Sequence, residues 1–309
     1  MIVKRNYLFA RGWKSAVPIF LFLPGFFVYL LVAVGPSLAT AVYSFTDATG
    51  IRGIAINWIG FDNYHEFLLR GAKSRDNIAA LKRTVTFSFF VTIIQFGLGL
   101  LFAVLLNQGR KGTMLFRTLF FMPVILGVAI QGLIWKLFLL PRGGPVAQVL
   151  DLVGTSSELL GGPPRSALAW VIVVQIWSNV GITMVIFLAG MQTIPPSLYE
   201  AARIDGANGW QLFRNITWPL LTPAANTNFL LNIVGSLQAW MLFLVLTGYK
   251  NGTQVLGYVV YAEGFGQQGT GSFRQGYAAA ASIVLFLLVL VLGMAANFVV
   301  TRRERKYMG

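Results

Sequence analysis

The chain offers few side chains for covalent chemistry. It has no cysteine and one histidine, His65, which excludes disulfides, thiolate metal sites, cysteine nucleophiles and a histidine metal cluster within one chain. The one group of neighbouring titratable residues is Asp62, His65 and Glu66, in a polar stretch. Such a group could serve acid–base catalysis in a membrane enzyme, but its polar surroundings favour a hydrated turn.

Amides and hydroxyls within the apolar parts of the chain form a second candidate set. At 100° per residue, Asn228 and Asn232 share one helix face, and Gln175 and Asn179 share another. Amides are costly when they face lipid, so they are expected inside a helix bundle. There they hydrogen-bond either a bound polar solute or a neighbouring helix, and both roles stay open. The candidate solute-contacting residues are Gln131, Gln175, Asn179, Asn228, Asn232 and Ser236.

The apolar stretches contain almost no charge. Gln95 and Gln131 are isolated amides, and Lys136 lies near the end of its stretch, where its stem can reach the membrane interface. This argues against a proton relay or a buried ion-coupling pair, and it favours a neutral sugar or polyol over a strongly charged solute. The chain also lacks a glycine-rich phosphate loop ending in Gly-Lys-Ser/Thr, so we expect no ATP hydrolysis on it.

Composition places these residues in a membrane protein. Only 11% of the residues are charged, against about 25% in a typical soluble domain, and the mean hydropathy is +0.69. A helix needs about 20 apolar residues to cross the hydrocarbon layer. The sequence therefore predicts an all-α integral membrane protein with six transmembrane helices in one domain, residues 1–309. The predicted spans are residues 16–45, 84–108, 117–140, 167–193, 218–247 and 276–301.

Basic residues set the predicted orientation. The net charge is +14, and Lys and Arg gather at the ends of apolar stretches, which fits an anionic cytoplasmic leaflet better than a nucleic-acid partner. With the N-terminus inside, the inside segments are short and dense in basic residues, most clearly from Arg302 to Lys306. The first apolar run is longer than a cleavable signal core of about 7–15 residues, so we expect an uncleaved span and both termini in the cytoplasm.

The predicted inside loop, residues 194–217, carries the most local structure. Ser197 followed by Glu200 predicts a capping box, and Gly206 predicts the end of a short helix. A turn at Asn208 and a second short helix over residues 210–216 should follow. Small side chains on the first helix would let a partner approach closely. A hydrated helical hairpin and a docking element are equally compatible with this pattern.

The same loop resembles the EAA motif of ABC-importer permeases. The resemblance rests on Glu200-Ala201-Ala202, Asp205-Gly206-Ala207, Ile216 and Pro219, with Trp218 where the family usually has leucine. Further resemblances to sugar-type permeases run along the chain, at residues 58–64, 120–123, 188–195, 235–236, 246–248 and 276–278. Arg83 departs from the family, where asparagine is frequent. The long first span and the basic tail resemble the first of the two paired permeases of maltose, trehalose and glycerol-phosphate systems.

The resemblance implies a function and a set of partners. The loop would form a coupling helix that docks on a dimeric cytoplasmic ATPase, and ATP and Mg²⁺ would bind that ATPase, leaving this chain without a cofactor. A second homologous permease, most simply in a heterodimer, and an extracytoplasmic solute-binding protein would complete the importer in a bacterial or archaeal cytoplasmic membrane. A homodimer is the alternative assembly, and a stand-alone secondary transporter is the alternative function. The implied coupling residues are Glu200, Ala201, Ala202, Arg203, Asp205, Gly206 and Ala207.

Overall fold

The computed structural model describes residues 20–70, 73–108, 112–141, 143–152, 164–248, 252–266 and 273–308. The basic segment from Lys4 to Lys14, the pair Arg110 and Lys111, and residues 16–19 of the predicted first span lie outside these ranges. The side chains of the basic tail, from Arg302 to Lys306, also lie outside the described part.

Helices account for nearly all regular structure in the described ranges. They are α1 (Phe20–Tyr43), α2 (Asp62–Leu68), α3 (Ser74–Leu106), α4 (Thr113–Ile125), α5 (Val128–Phe138), α6 (Pro145–Leu152), α7 (Pro164–Gln192), α8 (Pro196–Ile204), α9 (Gly209–Leu212), α10 (Trp218–Leu220), α11 (Thr222–Leu237), α12 (Trp240–Leu246), α13 (Leu256–Phe265) and α14 (Gln275–Met308). A π-helical turn, Phe213–Thr217, joins α9 to α10.

Length and composition mark an integral membrane protein. Four helices are long and apolar enough to cross a membrane: α1, α3, most of α7 and residues 275–298 of α14. Two further pairs pass the same test together but are bent, α4 with α5 by 103° and α11 with α12 by 48°. The described chain therefore holds four candidate spans, or six if each bent pair is one span. The helix of the predicted second span begins at Ser74, ten residues before the predicted start.

The predicted third span, residues 117–140, falls on two helices, α4 and α5, with a break between them. Leu126 and Gly127 adopt extended backbone angles between α4 and α5, and Pro123 in the last turn of α4 supplies no N–H to the helix ladder. The carbonyls freed by the break find a donor in Gln131, whose Nε2 lies 2.6 Å from Pro123 O and 2.9 Å from Leu126 O. A broken helix inside a membrane requires such internal partners for its backbone.

Small residues bring the central helices together. α3 runs along α7, and α4 and α11 also pack on α7. A Cβ added at Gly99 would lie 2.5 Å from Thr183 Cγ2, and one at Gly181 would lie 2.2 Å from the backbone oxygen of Phe120. Close backbone approach at small residues is the usual way that membrane helices gain packing energy. The bundle formed in this way positions the polar residues of α3, α7 and α11.

α1 lies apart from this bundle along most of its length. Its C-terminal end and the segment after it meet the start of α14, where Gly276 N donates to Ala48 O at 2.8 Å. Its other half is exposed on all sides: Phe20, Phe27 and Leu31 are 77%, 66% and 76% exposed. An apolar helix exposed all round within one chain leaves a large surface for lipid or another membrane helix.

Candidate functional site

The loop between α7 and α11 begins with a single well-terminated helix. α8 starts directly after Pro195, and Pro196 occupies its first position, where its missing N–H costs nothing. At the other end Gly206 adopts φ 81°, Gly206 N donates to Arg203 O at 3.1 Å, and Ala207 N donates to Ala202 O at 2.9 Å. These two bonds form a Schellman motif, as the glycine predicts. The helix therefore has a fixed start and a fixed end.

The capping box predicted at Ser197 and Glu200 was wrong. Pro195 is the N-cap residue, Ser197 lies inside the first turn, and the helix has no side-chain cap. The capping box belongs to the next helix: Gln211 N donates to Asn208 Oδ1 at 3.0 Å, and Asn208 N donates to Gln211 Oε1 at 2.7 Å. The Asn208 turn thus starts α9, which passes into the π-helical turn in place of a regular helix over residues 210–216.

α8 and the turn after it expose several large apolar side chains. Leu198 and Ile204 are 42% and 87% exposed, and Trp210 just beyond is 66% exposed. Glu200 and Arg203 line a cleft of about 530 Å³ between the loop and the ends of α3 and α7. Exposed apolar side chains gathered on one loop are typical of a protein-binding site.

A hydrogen bond ties the loop to the helix that follows it. Tyr199 Oη lies 3.0 Å from Thr217 Oγ1, the last residue of the π-helical turn. Trp210 and Phe213 stack with ring centroids 5.8 Å apart, and Phe213 contacts the ring of Trp218 at 6.3 Å. α8 is thus attached to the start of α10 and α11 by side chains as well as by the chain.

A buried polar junction joins α3, α7 and α11. Gln95 Nε2 donates to Asn232 Oδ1 at 2.8 Å and to Thr183 Oγ1 at 3.0 Å. Thr183 Oγ1 donates to Asn232 Oδ1 at 3.1 Å, and Asn228 Nδ2 donates to Thr183 O at 3.1 Å. The expectation that Gln95 stands alone was wrong, because the helix of another span brings Asn232 to it. Sequence could have placed each amide on its face but not the two faces together.

The remaining predicted path residues occupy separate places. Ser236 Oγ lies 2.7 Å from Ser88 Oγ and ties α11 to α3. Asn179 is half-buried and donates to the backbone oxygen of Gln175 at 3.1 Å. Gln131 is not isolated either, because it holds the break between α4 and α5. The structure thus joins Asn228 with Asn232 through Thr183, and it leaves Gln131 outside that group.

The predicted outer segment around residues 58–64 caps α1. Asn63 Nδ2 donates to Ser44 O at 2.9 Å and to Thr46 O at 2.8 Å, and Tyr64 Oη lies 2.7 Å from Ser44 Oγ. The buried Asn63 amide therefore satisfies carbonyls at the end of α1 that the helix leaves unpaired. This gives a structural role to the segment that resembles sugar-type permeases.

Two ion pairs join α2 and the segment before α3 to α13 and the segment before α14. Arg274 donates to both carboxylate oxygens of Glu66, at 2.8 and 2.5 Å, and Lys73 Nζ lies 2.6 Å from Glu263 Oε1. The Arg274 hydrogen bonds lower the pKa of Glu66 below its ordinary value. Because Glu66 is committed to this pair and Asp62 is exposed, the group at 62–66 has no catalytic geometry, and the described residues contain no cluster suited to a metal.

Arg83, which stands where related permeases frequently have asparagine, also has a structural role. Arg83 Nη1 donates to Gln254 O at 2.9 Å, and the neighbouring Thr84 Oγ1 accepts from Leu256 N at 2.8 Å. Together the two residues of α3 fix the start of α13. The longer guanidinium reaches a carbonyl that the shorter side chain of asparagine would not reach.

A family model described as "Binding-protein-dependent transport system inner membrane component" matches residues 95–306. The match takes in the polar junction and the whole loop between α7 and α11. The chain belongs to this family. Like the family, the permease is a transport subunit and not an enzyme, and a stand-alone transporter is not favoured.

Relatives of the permease agree with this assignment. It is 31% identical over 259 residues to the sn-glycerol-3-phosphate transport system permease protein UgpA of Agrobacterium fabrum, covering 82% of this chain and 84% of the relative. It is 32% identical over 233 residues to the trehalose/maltose transport system permease protein MalF of Thermococcus litoralis, covering 75% and 76%.

The fold is also that of a solved transporter subunit. A chain of a bacterial alginate ABC transporter, crystallised in complex with an alginate pentasaccharide-bound periplasmic protein, matches with a TM-score of 0.79 at 23% identity. The match covers 97% of this permease and 99% of that chain. At this identity the likeness concerns the fold.

Proposed function

We propose that this permease forms one half of the translocation pathway of an ATP-driven importer for a carbohydrate or related polyol. The observation that carries the proposal is the loop at 194–217, where α8 presents exposed Leu198 and Ile204 and is attached to the helix of the fifth span. Relatives named for trehalose/maltose and for glycerol phosphate support the solute class.

The proposed topology has six spans, with each bent pair counted as one. Both termini then lie in the cytoplasm, together with α8, while α2 and α13 lie on the outer side. The basic tail and the basic inside loops support this orientation. The permease would lie in the cytoplasmic membrane of a bacterium or archaeon, with lipid around its exposed apolar helices.

The proposed coupling element is α8 with its C-terminal turn. The partner is a dimeric ATPase on separate chains, which binds ATP and Mg²⁺. Leu198 and Ile204 supply apolar contact, and the small side chains leave room for the partner surface to approach. Gly206 fixes the end of the helix, and the hydrogen bond from Tyr199 to Thr217 attaches α8 to the segment before α11. A displacement of α8 by the ATPase would therefore displace α11. The coupling residues are Glu200, Ala201, Ala202, Arg203, Asp205, Gly206 and Ala207.

The proposed path is lined by uncharged polar groups. Gln175, Asn179, Asn228, Asn232 and Ser236 would offer donors and acceptors to sugar hydroxyls in a bundle without deep charges. Gln131 contributes differently, because its amide hydrogens are committed to the carbonyls of the helix break. It would keep the shape of the third span and does not need to touch the solute.

The proposed assembly has further subunits. A second, unlike permease would supply the other half of the path, and the exposed half of α1 offers surface to that permease or to lipid. An extracytoplasmic binding protein would select the solute and deliver it to the outer side. No role for nucleic acid follows from the positive charge, which lies at the ends of the spans.

The test compares two neighbouring glycines in the full complex. ATPase activity is measured in nanodiscs with the binding protein and a panel of sugars and polyols. Gly206→Ala places a side chain at φ 81°, which costs about 1–2 kcal/mol, whereas Gly209→Ala adds a methyl group in open space at an unstrained position. We expect one solute to stimulate hydrolysis, Gly206→Ala to lose most of that stimulation, and Gly209→Ala to retain it.

Two results would contradict the proposal. If both glycine variants assemble and respond like the wild type, α8 is not the coupling element. If the permease transports a solute when reconstituted without an ATPase, it is a secondary transporter. Copurification of each variant with the ATPase is the control for assembly.

A further inference from the structure

The junction of α3, α7 and α11 contains an amide, Gln95, that is not among the proposed path residues. Gln95 is 3% exposed, in the middle of the 33-residue α3. Its Nε2 atom makes its two short hydrogen bonds to Asn232 and Thr183. A buried amide in a membrane span is costly unless it has a role in packing or function. Gln95 therefore acts through the residues that it holds.

We propose that Gln95 is a positioning residue, which fixes the side-chain amide of Asn232 so that Asn228 and Asn232 together bind one hydroxyl group of the solute. The inference rests on the proposed function, because it assumes that α11 contributes to the path. It adds a residue of α3 to that path and states which solute group the two asparagines recognise.

The contacts of Gln95 determine the orientation of the Asn232 amide. Gln95 Nε2 can only donate, so the Asn232 atom 2.8 Å away must be the carbonyl oxygen. Thr183 Oγ1 adds a second donor to the same oxygen. A rotation of the Asn232 amide by 180° would bring two NH₂ groups together and lose both bonds. Gln95 thus directs Asn232 Nδ2 to the opposite side.

The atoms left over form a donor and an acceptor on one helix face. Asn232 Nδ2 and Asn228 Oδ1 have no hydrogen-bond partner among the described residues. The other end of the Asn228 amide, Nδ2, donates to Thr183 O. The two residues are 6% and 1% exposed and lie about 6 Å apart along the helix axis. Buried polar atoms of this kind require a partner. A hydroxyl group satisfies both, since it accepts from one and donates to the other.

The interhelical bonds suit a helix pair that moves as a unit. Gln95 with Asn232, and Ser88 with Ser236, tie α3 to α11 at two levels. If α11 and α3 move together relative to α7, the bond from Gln95 to Asn232 keeps the amide oriented even when the bonds to Thr183 are lost. The unpaired atoms then become accessible to a solute without a new arrangement of side chains, which lowers the cost of binding.

The test is a double-mutant cycle read by solute binding. Equilibrium binding of the stimulating solute is measured on the permease–ATPase complex in nanodiscs, without the binding protein. Interhelical hydrogen bonds in membranes contribute about 0.6–1.7 kcal/mol, so Gln95→Met should weaken binding about 3- to 16-fold. In the Asn232→Ala background the same substitution should change binding less than about two-fold. The control Thr86→Val, which removes a bond within the exposed face of α3, should leave binding unchanged.

Deoxy sugars give a second readout. Removal of one particular hydroxyl group from the sugar should weaken its binding to the wild type and leave its binding to Gln95→Met unchanged. Equal loss of affinity for Gln95→Met in both backgrounds would assign Gln95 to helix packing and overturn the inference, and so would unchanged binding. A wild-type complex that hydrolyses ATP with no response to any solute would overturn the proposed function, and the positioning role with it.

Discussion

The close contact between α7 and α4 at Gly181 predicts a large effect for one added methyl group. Gly181 on α7 lies against α4, and a Cβ there would lie 2.2 Å from Phe120 O and 2.9 Å from Phe121 Cα. Both are backbone atoms, so no side chain can rotate away, and Phe120 is held on its other side by Phe102 at 4.3 Å between ring centroids. Gly181→Ala must therefore push α4 from α7. Overpacking of this kind costs about 1–3 kcal/mol, and the helix propensity of alanine offsets about 1 kcal/mol.

The matched control is Gly97 on α3, which has no atom within 4 Å of an added Cβ. Gly97→Ala should be neutral or stabilising by up to about 1 kcal/mol, since only the propensity term acts. The assay is the apparent melting temperature of the purified permease, followed by tryptophan fluorescence in one detergent. We expect Gly181→Ala below the wild type and Gly97→Ala at or above it. If the two variants shift in the same direction, the reasoning from the α4–α7 contact is refuted.

Three further predictions rest on single contacts. Asn208→Ala removes the cap of α9 and should cost about 1 kcal/mol; faster proteolysis at residues 194–217 would show it, and an unchanged rate would contradict it. Gln131→Leu leaves Leu126 O without its side-chain donor and Pro123 O with only the backbone N–H of Leu126, and it should lower the free energy of unfolding by about 2 kcal/mol. Its control is Gln238→Leu at an exposed position, and equal melting temperatures would show that the amide does not hold the break. The Arg274 hydrogen bonds hold the pKa of Glu66 below its ordinary value, so the pair stabilises the contact between α2 and the start of α14 at higher pH, and that contribution is lost as the pH falls through the lowered pKa. Acidification should therefore lower the melting temperature of the wild type more than that of Glu66→Gln. Equal decreases in the two melting temperatures would show that the ion pair does not cause the loss of stability at low pH.

Local features of the loop between α7 and α11 were largely predictable. The stop at Gly206 follows from a residue that alone tolerates φ 81° without strain. The N-cap was mispredicted by two residues, because Pro196 can open a helix and places Ser197 in the first turn. The true capping box at Asn208 was visible in the sequence as Asn-x-x-Gln, but a second candidate lay eleven residues earlier. Competing local signals of similar strength are separated only by the backbone that each helix adopts.

The sequence by itself determined the membrane character, the approximate places of the long helices and the amphipathic position of each amide. These properties depend on composition and on periods of a few residues along one helix. Tertiary structure alone decided that Gln95 meets Asn232, that Gln131 supports a broken span, and that Arg83 reaches the segment before α13. Each of these contacts joins residues whose distance depends on how helices pack. That packing is set by close approach at Gly99 and Gly181, where the absence of a side chain gives no signal of which helix will lie opposite.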